Sequence, residues 1–254
     1  MSPPGFVLFD LDGTLVRPGA RIQRRHMSTM AAAIADVCGV AEEFRYADGQ
    51  LWYADIDLAG FTDAGTVHAA LRHHGVDAAR VRQLSRRVMA AMDARLGQGR
   101  DPAGDRADDL LPGCRALLEA LRGHGCGLGM STGNARAVAR WKMRRTGLAD
   151  LVHDGGFGDV ARDRDDVVAA GVAALGAPGN GVVVGDTAKD VTAAHAAGLR
   201  CVAVATGATS PEGLHAAGAD SVVTDLTGGR ALDAVLRLLA DPAGFPRSRK
   251  VYQL

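Results

Sequence analysis

The sequence predicts an α/β protein, a mostly parallel sheet between two helical layers, with a helical segment inserted near its start. Three observations predict this. Two short apolar runs, Phe6-Val7-Leu8-Phe9 and Val182-Val183-Val184, each end in a pair of aspartates, and a third strand pattern ends in Ser131-Thr132-Gly133-Asn134. Between about Arg17 and Asp109 the strand signal disappears, and βα alternation resumes only from about Leu111. In an open parallel sheet the strands' carboxyl ends share one edge, where such polar ends can meet.

The first run reads as a short buried strand. It closes in Asp10-Leu11-Asp12-Gly13-Thr14-Leu15. Two carboxylates one residue apart at a strand end repel each other and resist desolvation unless a cation compensates them. Gly13 permits a tight turn, and Thr14 offers a hydroxyl there. The pattern suits one carboxylate as nucleophile, its neighbour as proton shuttle and a Mg²⁺ between charges.

After the first strand, residues 23–38, 64–74 and 78–96 read as helices, with Gly75-Val76-Asp77 separating the last two. Residues 97–105 form a return linker by composition. Leu111-Pro112-Gly113 opens a helix to about Arg122. Gly127-Leu128-Gly129-Met130 then leads into Ser131-Thr132-Gly133-Asn134 and the helical pattern Ala135–Thr146. A hydroxyl, a glycine and free N–H groups at a helix start make a phosphate cradle; the same residues also serve as a plain N-cap. The run Val182–Val184 continues into Gly185-Asp186-Thr187-Ala188-Lys189-Asp190. Asp186 is a candidate ligand for a hard cation, and Asp190 either joins it or supplies a helix N-terminal charge. The last residues, 241–254, with Pro242, Pro246 and Arg247-Ser248-Arg249-Lys250, read as a tail.

Composition narrows the function classes. The 254 residues are 47% apolar, enough for a substantial core, and the formal net charge is zero. No basic footprint for nucleic acid is present, and no apolar stretch reaches the roughly twenty residues of a membrane span. The N-terminus runs at once into the first strand, so no signal peptide is expected. The four cysteines, Cys38, Cys114, Cys126 and Cys201, show no Cys-x-x-Cys pairing, and the expectation is reduced thiols and a cytoplasmic location.

Phe9-Asp10-Leu11-Asp12-Gly13-Thr14-Leu15, Thr132-Gly133-Asn134 and Gly185-Asp186-Thr187 with Asp190, in that order, resemble the motifs of haloacid-dehalogenase-superfamily phosphatases of the phosphoglycolate-phosphatase-like group. Leu111-Pro112-Gly113, Ala197-Gly198 and Val204-Ala205-Thr206-Gly207 extend the likeness from residue 6 to about 226. The resemblance implies a Rossmann-like three-layer core, residues 1–16 and 110–240, with a helical cap at 17–109. It implies that Asp10 attacks phosphorus and that Asp12 protonates the leaving oxygen and then activates water. Thr132, Gly133 and Asn134 would hold the phosphoryl oxygens. Asp10, the carbonyl of Asp12, Asp186 and Asp190 would hold Mg²⁺. The ligand expected is a small phosphorylated metabolite, with neither nucleic acid nor membrane as partner.

One departure stands out. The family's third motif usually carries a lysine, but the three lysines here are Lys142, Lys189 and Lys250, none at that place. Arg164 is the candidate substitute at a helix start, with Arg162 and Lys189 as alternates; an arginine fork can hold phosphate and carboxylate together. Within the cap, Thr62 and Asp63 are candidate substrate contacts through a Gly-x-Thr-Asp element, and either also fits as an N-cap. Arg17 and Arg21 are further candidates for an acidic or phosphorylated substrate. Asp12 argues against halide chemistry, and the absence of lysine from residues 17–109 argues against a Schiff-base mechanism. A phosphosugar mutase and a non-catalytic binding domain of the same fold remain open.

Overall fold

A computed structural model describes residues 5–40, 42–47, 50–98, 107–152, 154–159, 163–176 and 180–241. The core sheet contains β1 (Phe6–Phe9), β5 (Gly127–Thr132), β6 (Gly155–Phe157), β7 (Gly181–Gly185), β8 (Arg200–Val204) and β9 (Ser221–Val223). Their order is β6-β5-β1-β7-β8-β9, and every pairing is parallel. β1 lies between β5 and β7, with Phe9 level with Met130 on one side and Val184 on the other. That register brings the three predicted strand ends side by side. Val7, Leu8, Phe9, Val182, Val183 and Val184 are wholly buried. Their continuous apolar runs are what a sheet covered on both faces requires.

Helices α4 (Cys114–Gly123), α5 (Arg136–Arg145), α6 (Arg164–Ala174), α7 (Ala188–Ala196), α8 (Pro211–Ala216) and α9 (Arg230–Ala240) connect or follow these strands. Two separate apolar layers result. Val7, Phe9, Val182 and Val184 pack on one face of the sheet, while Phe6, Leu8 and Val183 pack on the other with Val168 and Val191. The predicted three-layer α/β class is therefore the observed one.

The segment between β1 and β5 departs from the expectation. Its helices α1 (Arg21–Cys38), α2 (Asp63–His73) and α3 (Ala78–Gln98) match the predicted helices, with α1 beginning two residues earlier. Between α1 and α2 the chain also forms an antiparallel sheet, β2 (Phe44–Ala47), β3 (Gln50–Tyr53) and β4 (Ile56–Asp57). The insert is thus not purely helical. Its strands are two to four residues long, and only one of their residues, Tyr53, is fully buried, so no periodic apolar pattern announces them. Residues 99–105 of the predicted linker, the tail beyond Asp241, and Arg162 lie outside the described residues.

Candidate active site

Asp10 follows β1 directly, and its N–H donates to the carbonyl of Val184 at 2.9 Å. The turn after it is closed by Gly13 N–H to Val16 carbonyl at 2.7 Å. Gly13 has φ +92°, and a Cβ there would lie 2.3 Å from Asp186 Oδ2. A Cβ on Gly207 would lie 1.5 Å from the same oxygen. The Asp186 carboxylate therefore occupies a slot that only two glycines leave open. Thr14 Oγ1 donates to Asp186 Oδ1 at 3.2 Å, and Thr206 Oγ1 donates to the Gly13 carbonyl at 2.5 Å, tying the two loops together.

Arg164, at the first turn of α6, is buried between Asp10 and Asp190. Its Nη2 lies 2.5 Å from both Asp10 Oδ1 and Asp190 Oδ1, and its Nε donates to Asp190 Oδ1 at 2.7 Å. This is the place proposed for it in the sequence. Lys189, the alternate, instead sets its Nζ 4.2 Å above the Phe61 ring. Asp190 unites both roles considered for it. Its Oδ2 accepts from Thr187 N–H and Oγ1 in a capping box at the start of α7, while Oδ1 serves Arg164.

Asp12 is held differently. Its Oδ2 accepts from Asn134 Nδ2 at 2.8 Å and from Lys142 Nζ at 2.5 Å, and its Oδ1 has no partner. Lys142 comes from α5, and its side chain is fully buried. It was the residue most plainly overlooked in the sequence, where it served only to show that the usual third-motif position was empty. A signal existed: Lys142 stands four residues after Val138 and three after Ala139, on the stripe α5 buries. A lysine on that stripe needs a carboxylate partner.

Electrostatics separates the two aspartates. Burial raises Asp10 from 3.8 to about 6, with Arg164 opposing and Asp190 and Asp12 adding to the rise. Burial, then Asp10 and Asp190, push Asp186 well above its ordinary value despite Arg164 and Thr14. Burial would raise Asp12 too, but Lys142, His26 and the bonds from Lys142 and Asn134 outweigh it and hold Asp12 below the usual range. Asp10, Asp186 and Asp190 can each place an oxygen within 4.8 Å of the others. Buried, hard, oxygen-only and short of positive charge, this donor set fits a divalent cation such as Mg²⁺. Asp10 and Asp186 are its freest donors, because both oxygens of Asp190 already have partners.

Above these residues lies a cavity of about 120 Å³, lined by Asp10, Asp12, Gly133, Asn134, Arg164 and Asp186 from the core. Gln23, His26, Tyr46, Phe61, Asp63 and Thr66 line it from the insert. Thr132 is fully buried, and its Oγ1 accepts from Asn134 N–H at 3.2 Å, so it shapes the turn on which Gly133 and Asn134 reach the cavity. Thr62 acts as the N-cap of α2, accepting from Gly65 N–H at 2.9 Å.

Asp63 does more than start a helix. It accepts from Ala135 N–H at 2.7 Å, its own N–H donates to Gly133 carbonyl at 2.7 Å, and Ala64 N–H donates to Gly158 carbonyl at 2.9 Å. These bonds fasten the insert across the core loops. Arg17 is not brought to the cavity. It donates to the carbonyls of Asp108 and Leu110, because it sits where the insert leaves and re-enters the core. Arg21 lies with it beside a separate surface hollow.

Comparison with known proteins agrees with this geometry. A profile described as haloacid dehalogenase-like hydrolase matches residues 6–198, which hold every core residue just described except Gly207 and Thr206. The chain belongs to that family. It is 32% identical over 242 residues to a plasmid-encoded phosphoglycolate phosphatase of Cupriavidus necator, covering 91% of this chain and 92% of the relative. Among solved structures it resembles CbbY from Rhodobacter sphaeroides in complex with phosphate, with TM-score 0.63, 21% identity and coverage of 91% and 98%. It also resembles a β-phosphoglucomutase from Clostridium difficile, with TM-score 0.62, 15% identity and coverage of 91% and 96%. This haloacid dehalogenase-like hydrolase is an enzyme of the phosphatase kind, on the α/β core those structures share. Among the described residues, no helix is long and apolar enough to cross a membrane.

Proposed function

We propose that this hydrolase is a Mg²⁺-dependent phosphatase acting on a small phosphomonoester through an aspartyl-phosphate on Asp10, with the insert as its cap. The observation that carries the reading is the unequal treatment of two neighbouring aspartates. Arg164 grips Asp10, while Lys142 and Asn134 grip one oxygen of Asp12 and leave the other unpartnered.

In this reading an oxygen of Asp10 bonds to phosphorus as the bond from phosphorus to the leaving oxygen breaks. Asp12 delivers a proton to that oxygen, and the alcohol departs. Asp12, again a carboxylate, then takes a proton from a water whose oxygen bonds to phosphorus, and the bond to Asp10 breaks to give inorganic phosphate. Because Asp12 rests as a carboxylate, its first proton comes from the monoanionic form of the substrate phosphate, whose second pKa is about 6. Arg164 and the turn at Gly133, whose shape Thr132 fixes by accepting from Asn134 N–H, orient the phosphoryl oxygens, as positioning and charge stabilisation dominate phosphoryl transfer. A Mg²⁺ held by Asp10, Asp186 and the Asp12 carbonyl, with Asp190 behind them, would neutralise phosphoryl charge. The cap, fastened by Asp63, would exclude water while the first bond breaks.

The test is phosphate release from a panel of phosphorylated metabolites with Mg²⁺, beside EDTA and Asp10→Asn controls. Turnover that requires both the metal and Asp10 supports the reading. Turnover that survives Asp10→Asn refutes the aspartyl-phosphate.

A further inference from the structure

The cap's side of the cavity has a chemistry that the phosphoryl end does not explain. The insert contributes Gln23, His26, Tyr46 and Thr66 as polar groups, amid Met27, Leu51, Leu58 and Phe61. Among the described residues, no lysine or arginine of the insert lines the cavity. Arg164, the cavity's cationic lining residue, is already held by Asp10 and Asp190. Lys142, beneath the floor, is held by Asp12.

Two of the cap's polar groups lack hydrogen-bond partners although they are buried. Tyr46 Oη has none. His26 Nε2 lies 3.1 Å from Asp63 Oδ2 without the alignment of a hydrogen bond, and neither of its ring nitrogens is otherwise satisfied. Buried donors and acceptors are ordinarily paired, so these point to a ligand that supplies the partner. They match hydroxyl groups, which both donate and accept. An anionic group would meet Asp63 and Asp12, and the basic groups nearby already face carboxylates, Arg164 those of Asp10 and Asp190, Lys142 that of Asp12 and His26 that of Asp63, so it would add a further negative charge to a desolvated cavity at a heavy cost. At about 120 Å³ the cavity is also smaller than the few hundred cubic ångströms that enclose a drug-sized ligand, which favours a short leaving group.

We infer that the cap selects a short, uncharged, hydroxyl-bearing leaving group, and rejects one that ends in a carboxylate or a second phosphate. This rests on the phosphatase reading above and deepens it. It also separates this chain from the substrate in its curated relative's name, since phosphoglycolate carries a carboxylate.

A matched pair tests it. 2-Phosphoglycolate and 2-hydroxyethyl phosphate differ by a carboxylate against a hydroxymethyl group, and p-nitrophenyl phosphate serves as a generic aryl substrate. The wild-type enzyme with Mg²⁺ is expected to prefer 2-hydroxyethyl phosphate in kcat/KM by on the order of 100-fold, the scale of one unpaired buried charge. Tyr46→Phe, which removes one hydroxyl and no bulk, is expected to narrow that preference about tenfold, chiefly through KM of the neutral substrate. Equal or better use of phosphoglycolate, or an unchanged preference in Tyr46→Phe, overturns the inference. So does hydrolysis of the aryl phosphate with neither member of the pair turned over, and the phosphatase reading survives in that case. No hydrolysis of any of the three overturns both.

Discussion

Replacing Asp10 by asparagine should stabilise the metal-free protein while abolishing turnover. The reasoning starts from the raised pKa. A buried carboxyl displaced from 3.8 to about 6 favours its neutral form in the fold. At 1.36 kcal/mol per pKa unit, holding it ionised above pH 6 costs roughly 3 kcal/mol. Asparagine imitates the neutral acid in shape but withdraws the charge that Arg164 engages, so the net gain should be smaller, about 1–3 kcal/mol. For a chain of this size that is a rise in Tm of roughly 2–10 °C. The sign in pH follows from the same displacement. A carboxyl whose folded pKa lies above its unfolded value stabilises the fold below the unfolded pKa, and that contribution is lost as pH rises through the folded one. The gap between Asp10→Asn and wild type should therefore be full above about pH 7 and shrink as pH falls from about 6 towards 4. Thermal melts in EDTA at pH 7.5 and 4.5 measure it. Adding Mg²⁺ at pH 7.5 should stabilise the wild type by about 2.7 kcal/mol at a hundredfold excess over Kd, raising its Tm, and stabilise the variant much less. An Asp10→Asn protein less stable than wild type in EDTA at pH 7.5 would refute the charge-crowded cluster.

Three further outcomes follow from the contacts. Arg164→Ala should lower kcat at least 100-fold and Arg164→Lys less, since the fork spans Asp10 and Asp190; turnover of Arg164→Ala within about twofold of wild type would remove it from the site. Lys142→Met should destabilise by about 3–5 kcal/mol by stranding the Asp12 carboxylate, and the double variant Lys142→Met/Asp12→Asn should recover most of that loss in urea melts. Asp63→Ala should raise KM and lower kcat together by loosening the cap, with Asp63→Asn milder because its side-chain oxygen can still accept from Ala135; steady-state kinetics decide.

The core was legible because its strands are buried on both faces and end in polar residues. Phe6–Phe9 and Val182–Val184 can be little else, and the parallel register alone makes their acidic ends neighbours. Arg164 was legible from its place at the start of α6. The small sheet of the insert was not, because strands as short as Ile56–Asp57 take their stability from pairing rather than from alternation. Tyr46, which lies on that sheet, was hidden for the same reason. Arg17 was misjudged for another: proximity in sequence to Asp12 says nothing of direction, and the return of the chain at Asp108–Leu110 turns its side chain away.

Lys142 explains how a chain without the usual third-motif lysine keeps its two aspartates apart in character. A single cation shared between Asp10 and Asp12 would lower both together. Here Arg164 comes from α6 and Lys142 from α5, on different sides of β1, and each meets one carboxylate. Arg164 divides its fork between Asp10 and Asp190, so it offsets only part of the burial and crowding at Asp10. Lys142 has Asp12 alone, adds an unshared positive charge, and brings it below the ordinary range. Asp10 is thereby left in need of a metal's charge, and Asp12 is a carboxylate without one. A divided pair of cations is thus a sufficient physical basis for assigning the two carboxylates different tasks.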